Sequence, residues 1–406
     1  MRAALTTLVT LILLCPAAVP AEPVPQPRLA EILSPEMRQS VHHTVEGVEL
    51  QDGYYIFPVD SEFGTFVAES LPQLRNLVNE LEVLSQAMNQ FVQNNPQLEP
   101  ELRGQFSIQA DSAVDIITRP VATATDLAGQ LGGNLNEALR GSPVLISEYE
   151  RVDFAAADSA DPTTAMHKRN IAAQWGFDLY TSNPVVQNFL NTAARARSGG
   201  RISAGAPAFF NSRQTAARTA DAGVDAEVGK LLKSEAALGL ADRNRRDLAQ
   251  MQIPAATIDA FIAHPAFSPR HQTRITHYLA ALDRVVNRAA FIDSALRSGS
   301  ERGAVMHEYL AMMLLYYHRQ VAPLQKLHFG NNVLQAIHGN NSIVVLQPED
   351  LVIWSADVQR NLDTVVKRAR ESGFRKLDLM AAGAVSAAAQ AELAARGFTL
   401  REHMVF

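Results

Sequence analysis

Cysteine is nearly absent from this chain. Cys15 is the only one among 406 residues, and it lies in an N-terminal stretch expected to be removed. Without thiols the remaining chain has no disulfide, no thiolate nucleophile and no Cys-based zinc site. A chain of this length buries enough surface to fold without a disulfide, even where one is permitted. The familiar catalytic signatures are missing too. There is no G-x-S-x-G nucleophile turn, no Ser-x-x-Lys and no G-x-x-x-x-G-K phosphate loop. The nearest to Ser-x-x-Lys is Ser372-Gly373-Phe374-Arg375, whose arginine stays protonated and cannot serve as a base. Beyond the N-terminal stretch, no apolar run approaches the ~20 residues of a spanning helix.

What is present begins with Met1-Arg2 and an apolar, Thr-containing run over residues 5–14. Val19 and Ala21 stand at the −3 and −1 positions that a signal peptidase reads. A charged start, a short apolar run and a small-residue exit define a secretory signal. Residues 1–21 are therefore expected to be clipped, leaving a periplasmic or secreted protein that begins at Glu22. An uncleaved anchor is disfavoured because the run is too short to cross a bilayer. Lipid attachment at Cys15 is disfavoured by the leucines before it and Pro16 after it. The chain has 36 Lys+Arg and 42 Asp+Glu, a net charge of −6. With Arg2 removed, 35 basic against 42 acidic residues leave −7, which argues against nucleic acid as a partner. No cofactor motif is visible, so none is expected.

The chain divides by pattern. Residues 22–43 are Pro-rich at the start and read as a tether. Residues 44–146 read as a hairpin-plus-helix unit. Gln51-Asp52-Gly53 supplies the turn, because Asp-Gly accepts the positive φ of a tight hairpin. Residues 64–69 suggest a further short strand. Ser70 then caps a helix whose Leu74, Leu77, Leu81, Leu84, Met88 and Phe91 form one stripe. A Gly-interrupted amphipathic segment covers residues 111–141. Residues 147–160 lack periodicity and read as a linker. Residues 161–330 form a helical domain, opened by Asp161-Pro162 and Asn183-Pro184, each an Asx cap with proline just inside. Ser298 and Glu301 read as a capping box. Residues 331–406 alternate strand and helix, with Gly373 and Gly397 closing the helices, as in a small α/β unit. The fold class expected is α+β and predominantly helical.

Candidate functional residues are sparse. Arg195, Arg197, Arg201, Arg213 and Arg218 cluster in a stretch free of acids. They could meet an anionic surface, although a solvated loop explains them as well. His307 and His318 are eleven apart, about 16 Å along a helix, too far to share a metal. His264, His271 and His277 could converge only through folding, so no metal site is assigned. Glu80 and Glu82 point to different helix faces and read as solvated surface acids. No general acid/base pair emerges. Tyr54, Tyr55 and Trp354 could stack on glycans, but strand faces bury such rings routinely.

Several stretches resemble a family of uncharacterised exported bacterial proteins. They are Gly64-Thr65-Phe66, Ile117-Thr118-Arg119-Pro120-Val121, Trp175-Gly176-Phe177-Asp178-Leu179-Tyr180-Thr181-Ser182-Asn183-Pro184, Phe267-Ser268-Pro269-Arg270-His271-Gln272-Thr273 and Gly383-Ala384-Val385-Ser386. The similarity spans most of the mature chain. That family has no assigned activity, so the resemblance implies a single architecture and transfers no functional residue. The function expected is an exported cell-envelope protein with a binding or structural role, either binding an envelope protein or an anionic surface or serving as a structural subunit of a larger assembly. The alternative is a hydrolase with a histidine-based site in the helical domain. Whether the chain is an enzyme is left open.

Overall fold

The Asp52-Gly53 turn forms as its residues dictate, with φ of 51° and 85°. It joins β2 (Glu49–Gln51) to β3 (Tyr54–Ser61), and β3 pairs on with β1 (His43–Val45) and β4 (Gly64–Ala68), all antiparallel. A short β5 (Val144–Leu145) adds in parallel to β4. The computed structural model describes residues 21–105, 144–145, 153–202, 221–330, 333–339 and 341–404. The expected signal, apart from Ala21, and the whole of the Gly-interrupted segment 111–141 lie outside those residues.

Residues expected to be a tether are only partly so. They hold two single-turn helices, α1 (Leu29–Ile32) and α2 (Pro35–Arg38). Glu22 is fixed to the far end of the chain: its N–H donates to Trp354 O at 3.1 Å, and its carboxylate accepts from Trp354 N and Ser386 Oγ. The stripe helix α3 (Leu71–Asn94) lays Leu74, Leu77, Leu81 and Leu84 against Phe57, Val59 and Phe66 of the sheet. A short α4 (Glu99–Gln105) follows it.

The expected linker is helical at its end. Asp153 accepts from Ala156 N at 2.9 Å and starts α5 (Phe154–Ala160). This helix has no apolar stripe to announce it, since three alanines follow Phe154. Then α6 (Pro162–Trp175) and α7 (Pro184–Ser198) form a hairpin, with Asp161 and Asn183 capping and Gly176 closing α6 at φ 79°. Phe189 of α7 touches the rings of Phe91, Trp175 and Phe177 at 5.6, 6.4 and 5.8 Å. The hairpin therefore shares one apolar core with the N-terminal sheet and α3, a division the sequence pattern did not suggest.

A second core gathers α10 (Ala255–Ile262), α11 (Pro269–Ala281), α12 (Ala289–Ala295) and α13 (Glu301–Tyr316), while α8 (Ala222–Ser234) and α9 (Ala237–Gln250) straddle the two cores, Leu231, Leu232 and Leu240 on the first and Val224 and Leu248 on the second. The cap of α13 is Ser300, which accepts from Gly303 N, and not Ser298. Ser298 instead turns its hydroxyl to His307 Nδ1 at 3.1 Å.

The C-terminal sheet has the order β12-β10-β8-β7-β6. It starts earlier than residue 331, because β6 (Leu324–Gly330) pairs with β7 (Val333–His338), which pairs with β8 (Ser342–Gln347). After β9 (Leu351–Val352), α14 (Ala356–Glu371) leads to β10 (Lys376–Ala381) and β11 (Ala384–Val385). Helix α15 (Ala387–Ala395) then leads to β12 (Phe398–Arg401), with β8, β10 and β12 parallel. Every residue of β8 is buried, as a parallel strand covered on both faces requires. One face, with Leu334, Val344 and Met380, closes the second core. The other, with Val345, Leu379 and Trp354, carries Leu362 of α14 and Leu393 of α15.

One carboxylate joins the ends of the chain. Asp350 Oδ2 accepts from Tyr55 N at 3.0 Å and from Leu71 N at 2.9 Å. It thus satisfies an orphan N–H in the first turn of α3 and suits the positive end of its dipole. The loop around it is squeezed: a Cβ on Gly383 would stand 1.9 Å from Asp350 O, so only glycine fits there. Replacing Asp350 by Ala leaves two buried N–H groups unpartnered. We predict a loss of about 2–5 kcal/mol, read as a lower urea midpoint, with Asp350→Asn in between because its amide oxygen still accepts.

Candidate functional site

The first and second cores meet along a seam that is polar where one expects apolar packing. Its floor is α11. Arg270 and Arg274 are one turn apart and share a face, and both reach Glu308 of α13, at 3.4 and 2.9 Å. Glu308 is only 3 % exposed. The two guanidiniums hold its carboxyl below the usual range even though burial pushes the other way. Arg270 also donates to Asp178 Oδ2 at 2.7 Å. Asp178 lies in the turn between α6 and α7, where its Oδ1 accepts from Tyr180 N at 3.0 Å. Arg274 continues to Tyr278 Oη at 2.8 Å and to Asp225 of α8. His271, between the two arginines, has Nε2 3.9 Å from Glu308 Oε2, while its Nδ1 takes part in the cap at Ser268.

The N-terminal unit adds Glu80, on the flank of the α3 stripe. It is not the solvated acid its sequence suggests. Its Oε2 accepts from Asn183 Nδ2 at 3.1 Å. Burial pushes its carboxyl up to about 7, and nearby Asp178 adds to that, against Thr181, Asn183 and Arg270, which pull it down.

Three cavities follow this seam and share walls. The largest, about 560 Å³, runs between α5, α9, α10 and the start of α11. Phe154, Leu238, Ile262 and Phe267 give it an apolar side, and Ser182, His271 and Glu301 a polar end. A chamber of about 40 Å³ adjoins that end through Thr181, Ser182, His271 and Glu301. A third cavity, about 280 Å³, lies beyond Glu80, Asp178 and Arg270. Tyr180 lines all three.

Folding brings three of the candidate histidines together. His264, His271 and His307 surround Phe267, with ring centroids at 5.3, 6.5 and 6.1 Å. Their nitrogens are engaged locally. His264 Nδ1 accepts from Ala266 N, and His307 Nδ1 lies 2.8 Å from Gly303 O with Ser294 Oγ at its Nε2. Burial pushes His307 down to about 4, so it is neutral at physiological pH. His318 lies apart, accepting from Leu324 N, and His277 is pushed down by burial. Among the described residues, no group of three or more His, Cys, Asp or Glu is placed to hold a metal ion.

The arginine stretch is placed elsewhere. Arg195 and Arg197 occupy the last turn of α7, where a cation suits the negative end of the dipole. Arg195 is exposed. Arg201 pairs with Glu101 at 2.9 Å. Arg213 and Arg218 lie outside the described residues. Tyr55 and Trp354 are buried, and the Tyr54 ring is covered by Arg302 at 5.3 Å, so none of the three is a free stacking platform. Sequence reasoning missed Glu80, Asp178, Arg270, Arg274 and Glu308. The one available signal was the i, i+4 pair Arg270/Arg274 on a helix that also carries an apolar face.

No family model, curated protein or solved structure matches this chain.

The Glu80 carboxyl gives a signed pH effect. Its folded value, about 7, lies above the ordinary 4.5. Folding therefore favours its protonated form, and that contribution is complete below pH 4.5 and lost as pH rises toward 7. Glu80→Gln keeps the hydrogen-bonding shape without the charge. We predict that E80Q matches the wild type near pH 4 and gains on it through this window, by about 2–3 kcal/mol above pH 7. Urea unfolding across pH would show it, and a constant difference would contradict the buried-carboxyl account.

Proposed function

We propose that this protein is an exported cell-envelope binding protein that holds a small, largely apolar molecule in the seam. The observation that carries the reading is the cavity of about 560 Å³ between the first two cores. It falls in the size range of ligand pockets, and it combines an apolar wall with a few converging polar groups. Such a site orients a ligand by its polar end while its body is driven in by removal of apolar surface from water. Export is supported by the N-terminal residues Met1-Arg2, the apolar run and the Val19/Ala21 exit. Among the described residues, no helix is long and apolar enough to cross a membrane.

A hydrolase built on the histidines of the middle region draws less support. The His307 ring is buried and its nitrogens face Gly303, Ser294 and Ser298. His264 and His271 do line the large cavity, but each commits its Nδ1 to a local backbone N–H, at Ala266 and Ser268.

Leu238 stands at the cavity and is 51 % exposed, so a larger side chain there fills the mouth without disturbing a core. We expect the uncharged dye N-phenylnaphthylamine to bind the full chain with one saturable site. Leu238→Trp should weaken that binding about tenfold or more, and Arg195→Gln should leave it unchanged. Fluorescence titration measures both. Equal affinity in the Leu238→Trp protein would remove the seam cavity as the site.

A further inference from the structure

The cavity of about 280 Å³ on the other side of Tyr180 has a different chemistry. Its walls come from α3, α6, α8, the Asp178 turn and α11. Four cations line it, Arg169, Lys233, Arg270 and Arg274, against two carboxyls, Glu80 and Asp178. The deeper pair of arginines is already balanced, since Glu308 and Asp225 stand behind Arg274, and Asp178 and Glu308 behind Arg270. The outer pair is not. Among the described residues Arg169 makes a single ion pair, Nη1 to Asp158 Oδ2 at 3.3 Å, which leaves the rest of its fork. Lys233 is exposed and has no ion-pair partner among the described residues. The remaining carboxyl, Glu80, holds its proton up to about 7, so it opposes a bound negative charge less than an ordinary glutamate would.

Small residues make the room. Ala172, Ala173 and Gly176 of the α6 end face Gly229 of α8 across the cavity. A Cβ added at Gly229 meets nothing within 4 Å. The opening is thus wide enough to admit a small solute, and Lys233 sits one turn beyond Gly229 on the same helix.

We propose that this cavity is a second binding site, for a small oxyanion such as a phosphate ester or a dicarboxylate, gripped by Lys233 and Arg169 with Arg270 at its base. Arginine forks match the geometry of carboxylate and phosphate oxygens, and lysine adds a mobile point charge. The site is separate from the apolar cavity and stands or falls independently of it, although the two share Tyr180.

The test uses the full chain with two simple anions, inorganic phosphate and succinate, by calorimetric titration at constant ionic strength. Saturable binding of either anion, one per chain, is expected. Lys233→Gln should weaken it about tenfold, the loss of one charge-assisted hydrogen bond. Gly229→Leu should abolish it by filling the opening, and it favours helix, so the chain stays folded. Leu238→Trp, which blocks the other cavity, should leave anion binding intact. The proposal is overturned if neither anion saturates. It is overturned equally if binding survives both Lys233→Gln and Gly229→Leu, or if tetramethylammonium chloride produces the same heat. Loss of anion binding in Leu238→Trp would place the anion in the larger cavity and likewise defeat it.

Discussion

Glu308 is a carboxylate almost without solvent, and that constraint organises the middle of the molecule. Removing such a group from water costs several kcal/mol unless opposite charges and hydrogen bonds surround it. Here the compensation comes from two arginines on one helix face, and those arginines in turn demand Asp178 and Asp225. Each partner belongs to a different helix or turn. The ion network therefore acts as a positional code: α8, α11, α13 and the α6–α7 turn satisfy it in one arrangement only. Apolar packing alone would tolerate sliding of one core over the other, whereas a displaced guanidinium here strands a buried charge.

The same network explains why space remains at the junction. Apolar side chains interdigitate to crystal-like density. Planar polar groups do not fill gaps in this way, because their geometry is set by their partners. Around Tyr180 the result is a row of chambers with apolar walls on one side of the ring and charged walls on the other. Residues of the 176–182 and 262–274 stretches line these chambers.

What was legible in the sequence was local. The Asp52-Gly53 hairpin, the α3 stripe, the Asx-Pro helix starts and the glycine stops at 373 and 397 each depend on interactions within a few residues, and each is found. The α+β, mainly helical class follows from them. Where a distant partner intervenes, the local reading fails. Ser298 reads as the cap of α13, but Ser300 takes that place and Ser298 bonds His307 instead. The site was not legible because its bonds are long-range. Glu80 is set apart by groups far along the chain, Asn183 at 103 residues among them, with Thr181, Asp178 and Arg270. The α6–α7 hairpin reads as part of the helical middle until Phe189 is seen against Phe91. Strand β6 hides its alternation behind Lys326 and His328, which face outward at the edge of the sheet.

Ser70 caps α3 locally, but the group that takes its first N–H, at Leu71, is 279 residues downstream. During synthesis the N-terminal unit has all its apolar surface long before Asp350 leaves the ribosome. One N–H of the first turn of α3, at Leu71, lacks its carboxylate partner until almost the whole polypeptide has emerged. The unit made last therefore completes the one made first, and the Leu71–Asp350 bond reports whether the two ends of the chain have met.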